Sequence, residues 1–236
     1  MDKTLTFLKL DQYDIEAVLM PSIICCILIC CSIYPFINWD IAYLKLGFTT
    51  TYTITLIVFM AFISVIMKIV RTFSKKFVEE IKFGKNQEHM PTTEYLMLTS
   101  NFGNPVIRDK VRAKIKGDFQ ITLKSRSIEE KDKKSAQVLI SSAVALIRKQ
   151  IQKLSLEMYN RKNRRYGGCR NLIGASYISF VVAIICAIVA YCYQVNYMYP
   201  LSSLGVSTVL ALYLNYIFRD LAEDYANELY ESYLTL

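Results

Sequence analysis

The chain has 236 residues, of which 53% are apolar, a formal net charge of +8 and a mean hydropathy of +0.28. Four uncharged runs of about the ~20 residues that cross a bilayer core make buried helices of a soluble fold the weaker alternative. A single histidine, and seven cysteines of which six lie inside those runs, give little support to a metal site, so no metal and no cofactor is expected.

Residues 1–16 read as a cytoplasmic N-terminus. Asp11, Asp14 and Glu16 stand where a secretory signal would carry cations, and no A-x-A site follows, so residues 17–37 read as a first transmembrane helix. Its CCILICC stretch, residues 25–31, has neither ligand partners nor water nearby, and cysteine there acts as a small apolar residue. Residues 46–67 form a second span, with Thr51 and Thr55 on one face as candidate pore-lining groups. That helix is expected to continue through Phe83 and end at Gly84.

Residues 68–170 read as a basic, mainly helical cytoplasmic domain, with 24 Lys and Arg against 10 Asp and Glu, a net +14. Only Lys3, Lys9, Lys45 and Arg219 lie outside it, so the positive-inside rule places this segment and both termini in the cytoplasm. Pro91 heads a helix in MPTTEYLML. In NPVIRDKVRAKIKG, Asn104 is the cap, Pro105 the first residue and Gly117 the terminator. Phe119–Leu123 is a strand-like scrap, too short to build a sheet on. Ser127 and Glu130 have capping-box spacing before a long helix over 135–165, whose apolar positions are Val138, Ala145, Ile151 and Leu154. A kink is expected at Gly167-Gly168.

Residues 171–193 form a third span, in which Ala175, Ser179, Ala183 and Ala187 recur every fourth residue, a stripe that lets helices approach closely. Asn196 and Pro200 separate it from a fourth span, residues 199–218, with Ser203, Ser207 and Asn215 as further candidates for helix packing or a water path. The tail, 219–236, holds one Arg and five acids, and Phe218, Leu221, Tyr225, Leu229 and Tyr233 line one helical face. It is expected to continue the fourth span and pack against the basic domain.

No phosphate-binding loop, zinc-protease helix, nucleophile elbow or carboxylate pair is present, so an enzyme is not expected. None of the four spans carries Asp, Glu, Lys or Arg, which disfavours coupled transport and leaves a passive pore or an anchor. In the basic domain, Arg108, Arg112 and Lys116 recur at i, i+4 and i+8, and Arg164 and Arg165 flank Tyr166. A cation row beside an aromatic suits an anionic nucleotide or single-stranded DNA, with a solvated face or lipid headgroup contact as the plainer alternatives.

Two stretches, PTTEYL at 91–96 and Arg165-Tyr166-Gly167-Gly168-Cys169-Arg170-Asn171-Leu172, set between two pairs of spans, resemble small membrane proteins of bacterial anti-phage defence operons. The chain is most similar to the membrane effector type of the Hailong system, with the four-span membrane subunit of the Kiwa system as the other type. The resemblance implies an all-α inner-membrane protein and a homo-oligomeric ion channel, taken here as a tetramer, controlled by a nucleotide-derived DNA ligand. The alternative is a membrane anchor that recruits a soluble defence partner.

Overall fold

A computed structural model of the chain describes residues 11–37, 48–84, 88–154 and 156–236; over 48–60 it describes the backbone alone. Among the described residues every regular element is helical. A π-helical turn, Asp14–Leu19, leads into α1 (Met20–Ile33) and a 3-10 turn at Tyr34–Phe36. Next come α2 (Phe48–Phe73), a second π turn (Ser74–Val78) and α3 (Glu79–Phe83). The remaining helices are α4 (Pro91–Leu96), α5 (Pro105–Phe119), α6 (Arg126–Lys131), α7 (Lys133–Gln152), α8 (Glu157–Cys192) and α9 (Met198–Leu234).

The residues group into two compact units. One, here the apolar unit, comprises Met1–Lys75 and Gly167–Tyr216; the other, the basic unit, comprises Lys76–Tyr166 and Ile217–Leu236. The acidic tail and the basic segment share one unit.

Three helical stretches among the described residues are long and apolar enough to cross a membrane: Asp14–Phe36, Glu157–Cys192 and Met198–Leu234. The core of the apolar unit forms where Cys25, Cys26 and Ile29 of α1 meet Ile63, Ile66 and Val70 of α2 and Ala175 of α8. Two of the cysteines are thus core residues, and all seven are free thiols. Ser179 and Ala183 are fully buried and Ala187 half-buried, so the small-residue stripe on α8 is a packing face within the chain.

Glycine permits the closest approaches here. A Cβ at Gly174 would lie 1.9 Å from Ser74 Oγ, and one at Gly167 would lie 2.5 Å from the Tyr13 hydroxyl. Gly168 lies beside the backbone of Glu16 and Ala17. The helix α8 is continuous through Gly167-Gly168, where the sequence predicts a kink, and their lack of side chains serves helix contact.

The sequence signals for several helix ends hold. Asn104 accepts a hydrogen bond from the Val106 amide at 2.9 Å, Pro105 and Pro91 open their helices, and Gly84 closes α3 with φ +75°. Others do not. Gly117 is inside α5, which ends two residues later, with Gln120 in the left-handed region. Ser127 and Glu130 form no capping box, because α6 starts two residues earlier, with Ser125 at its N-cap. The next helix is capped by Asp132, which accepts from the Ser135 amide at 3.1 Å. The long helix expected over 135–165 is two helices, α7 and α8, separated near residues 153–156.

The buried face of α7 is Ala136, Ile140, Ala143, Val144, Ile147 and Ile151. Of the four apolar positions expected there, only Ile151 is buried; Val138, Ala145 and Leu154 are exposed. Opposite ends of the basic unit's sequence meet through aromatic rings. Tyr166 stacks on Phe218 and on Tyr225, each at 5.4 Å, and Tyr95 lies 4.7 Å from Tyr230. Phe218, Tyr225, Leu229 and Tyr233 are buried, so the tail helix packs as its periodicity implies.

Candidate functional site

The cations singled out by spacing divide sharply once placed. Arg108 is 6% exposed, and its guanidinium donates to the carbonyls of Tyr95, at 2.7 Å, and Phe102, at 2.5 Å. Arg112 donates to the carbonyls of Leu96 and Lys124 and to Glu129 Oε1 at 3.1 Å. The Glu129 side chain is fully buried and its Oε2 accepts from the amides of Leu98, at 2.7 Å, and Thr99, at 3.2 Å. Three charged side chains thus supply partners to backbone groups at the end of α4, in the linker that follows it and in the linker after α5. Arg108 and Arg112, expected as ligand contacts, are thus bonded to the fold through most of their donors.

Tyr166 is engaged in the same way. It is 4% exposed, stacked between two rings, and its hydroxyl donates to Glu79 Oε1 at 2.8 Å. A base cannot stack on a ring already covered. Of the six expected ligand residues, Lys116 and Arg165 are exposed and Arg164 is half-exposed.

A buried cation that spacing did not reveal lies beneath the tail helix. Arg148 sits 5.6 Å from the Tyr225 ring centre and donates to Thr92 Oγ1 at 3.3 Å. Burial pushes its pKa down, nearby Tyr225, Tyr159, Tyr166 and Tyr230 push it up, and the net shift is upward, so it stays charged. Lys114 lies 5.0 Å above the Tyr233 ring, whose hydroxyl donates to Asp118 at 2.9 Å. Lys162 pairs with Asp224 at 2.5 Å, so tail carboxylates and tyrosines both tie the basic unit together.

The polar groups of the apolar unit are also committed. Ser203 and Ser207 are buried and donate to the carbonyls of Leu28, at 2.8 Å, and of Ser203, at 2.7 Å. Asn215 donates to the Tyr177 hydroxyl at 2.8 Å and to the Ala211 carbonyl at 2.7 Å. These three residues, expected as pore-lining or helix-packing groups, thus have hydrogen-bond partners within the chain. The side chains of Thr51 and Thr55 lie outside the described residues.

Asn171 is the residue whose weight the sequence concealed. Its amide donates to the Ala17 carbonyl at 2.5 Å, and its own Oδ1 accepts from Arg170 Nε at 3.3 Å. In an α-helix the Ala17 carbonyl would bond the amide of residue 21, and residue 21 is proline, with no N–H to give. The available signal was this pairing of a proline with the carbonyl four positions before it.

The outward surface of the membrane-length helices of the apolar unit is rich in exposed hydrocarbon. Ile27, Val65, Val181, Ile185, Val209 and Leu212 are each more than half exposed. Exposed tyrosines stand near ends of the apolar stretches: Tyr191 on α8, Tyr199 and Tyr216 on α9. Tyrosine at such ends suits a headgroup region.

Among the described residues no three metal-ligating side chains gather. No protein-family model, curated protein or solved structure matches the chain. The class defined here is a structural one: among the described residues, an all-helical chain with three membrane-length apolar helices and a basic unit with inward-turned arginines.

Proposed function

We propose that the chain is the membrane effector of an anti-phage defence system: a non-enzymatic homo-oligomeric ion channel of the bacterial inner membrane. In this reading α2 is the fourth span, both termini are cytoplasmic, and a tetramer encloses the water path. The basic unit takes an anionic nucleotide or oligonucleotide through Lys116, Arg164 and Arg165.

The observation that carries the proposal is the contrast between the two surfaces. The apolar unit offers hydrocarbon bounded by tyrosines. The basic unit keeps a surplus of surface cations, including Lys110, Lys116, Lys131 and Arg165, even after Arg108, Arg112 and Arg148 are assigned to its interior. An anionic ligand meeting such a surface gains charge-assisted hydrogen bonds.

The commitment of Ser203, Ser207 and Asn215 to packing favours a second reading, a non-conducting anchor that recruits a soluble defence partner. Membrane potential separates the two. The chain is expressed in bacteria with a potential-sensitive dye, with and without its neighbouring genes. Depolarisation that a neighbour restrains or triggers supports the channel. A steady potential in every combination supports the anchor and overturns the channel.

A further inference from the structure

The outer face of α7 has an unusual composition. From Lys133 to Leu156 the chain carries five cations and no acid. Arg148 is turned inward, while Lys133, Lys134, Lys149 and Lys153 are exposed. Lys134, Val138, Ser142, Ala145, Lys149 and Lys153 follow one another at steps of three and four, a single stripe along the helix. Val138 is 45% exposed and the neighbouring Leu146 39%, so the stripe is apolar as well as cationic.

The same unit presents the opposite composition on its tail. Asp220–Leu236 contains five acids and no cation. Its buried face is Phe218, Ala222, Tyr225, Leu229 and Tyr233. The opposite face, Asp220, Asp224, Asn227 and Glu231, is exposed along its length. Asp224 is paired with Lys162, whereas Asp220 and Glu231 make no ion pair among the described residues.

We infer that the cationic α7 face of one copy docks on the acidic tail face of a second copy. The inference rests on the homo-oligomeric part of the proposed function and gives it an interface. Both faces are exposed in one chain, so neither satisfies the other internally. Lys149 and Lys153 lie one turn apart, as do Asp220 and Asp224, so the charge rows share a pitch of about 6 Å. Exposed Ala145 lies within the cationic stripe, where its small side chain allows a second helix to approach. Asn227, uncharged within the acidic stripe, brings a side-chain amide that both donates and accepts hydrogen bonds across such a contact. Because the two faces differ, the contact is head-to-tail and closes into a ring when its rotation permits.

The test is a charge swap on the full chain in lipid nanodiscs, with copy number read by mass photometry against the 27.2 kDa single copy. The oligomer is expected to dissociate in Lys149→Glu/Lys153→Glu and in Asp220→Lys/Asp224→Lys, each with little change in Tm because the Asp224–Lys162 pair lies at the surface, and to re-form when all four changes are combined. If the unaltered chain is a single copy, the homo-oligomeric reading itself fails. If it is an oligomer that survives both double variants, that reading stands and this interface is wrong. If the oligomer is lost and the fourfold variant does not restore it, the cationic face takes another anion, such as lipid headgroups or a nucleotide, and the docking of a second copy is overturned.

Discussion

The side-chain amide of Asn171 replaces the backbone amide that Pro21 lacks. It donates to the Ala17 carbonyl at 2.5 Å, while the Ser22 hydroxyl takes the next carbonyl, Val18, at 2.7 Å. The chain around them winds as a π turn over Asp14–Leu19, the kind of irregularity that a missing amide favours. Asn171→Leu is expected to lower stability by about 1–3 kcal/mol, the cost of leaving a buried acceptor unpaired. Pro21→Ala should recover much of that loss, because residue 21 then supplies its own N–H. Unfolding in mixed micelles measures both; an equal loss with and without Pro21 would show that the amide has another role.

Close contact at Gly174 gives a second prediction. A methyl group there meets Ser74 Oγ at 1.9 Å and the Ser74 backbone at 3.2 Å. Gly174→Ala should destabilise by about 1–3 kcal/mol, as overpacking does. Ser74→Gly in the same chain should relieve part of the penalty. Thermal unfolding of the single and double variants would reveal the coupling.

The arginines and the surface lysine should separate by what their loss affects. Arg112→Ala leaves the Glu129 carboxylate buried without its cation, and breaking such a pair costs about 3–5 kcal/mol. Lys116→Ala, at an exposed position, should change stability by less than about 0.5 kcal/mol. Binding of a labelled oligonucleotide at low salt should weaken in Lys116→Ala and Arg165→Ala at constant Tm. In Arg112→Ala any loss of binding should track the loss of folded protein.

Asp132 supplies a pH prediction. Its carboxylate caps α7 through the Ser135 amide and lies 3.4 Å from Lys124 Nζ. Those contacts, the amide bond first, hold its pKa below the usual aspartate value. A depressed carboxyl contributes stability above its unfolded pKa and loses it as pH falls through the folded one. The Tm of the unaltered chain should therefore drop on acidification below the ordinary carboxylate range. Asp132→Asn keeps a capping oxygen without the titration, so the drop should be shallower; identical curves would assign it to other carboxylates.

Much of the fold was legible because its signals are local. Apolar run length marked α1, α8 and α9, and Asn104, Pro105, Pro91 and Gly84 marked helix ends through their own backbone chemistry. The basic site was less legible because helical spacing was taken too literally. Eight residues rotate an α-helix by about 80° past two full turns, so Arg108 and Lys116 do not share a line. One is buried and the other exposed. On α7 apolar residues occur on more than one side, so Val138 and Ala145 compete with Ile140 and Ala143 in any periodic reading. The role of Asn171 required knowing which helix lies beside it, and no local pattern carries that.

The binding of arginine to main-chain oxygen has a consequence for how this sequence can change over time. Arg108 and Arg112 hold carbonyls of Tyr95, Leu96, Phe102 and Lys124, and Glu129 holds two amides. Every residue type offers the carbonyl and every type but proline the amide, so the side chains at positions such as 98 and 124 are free to drift within that limit while Arg108, Arg112 and Glu129 are not. Selection would then preserve these charged residues on α5 and α6 beside variable loops. Among distant relatives such a motif would mark a shared scaffold, even where the molecules that each one recognises have diverged.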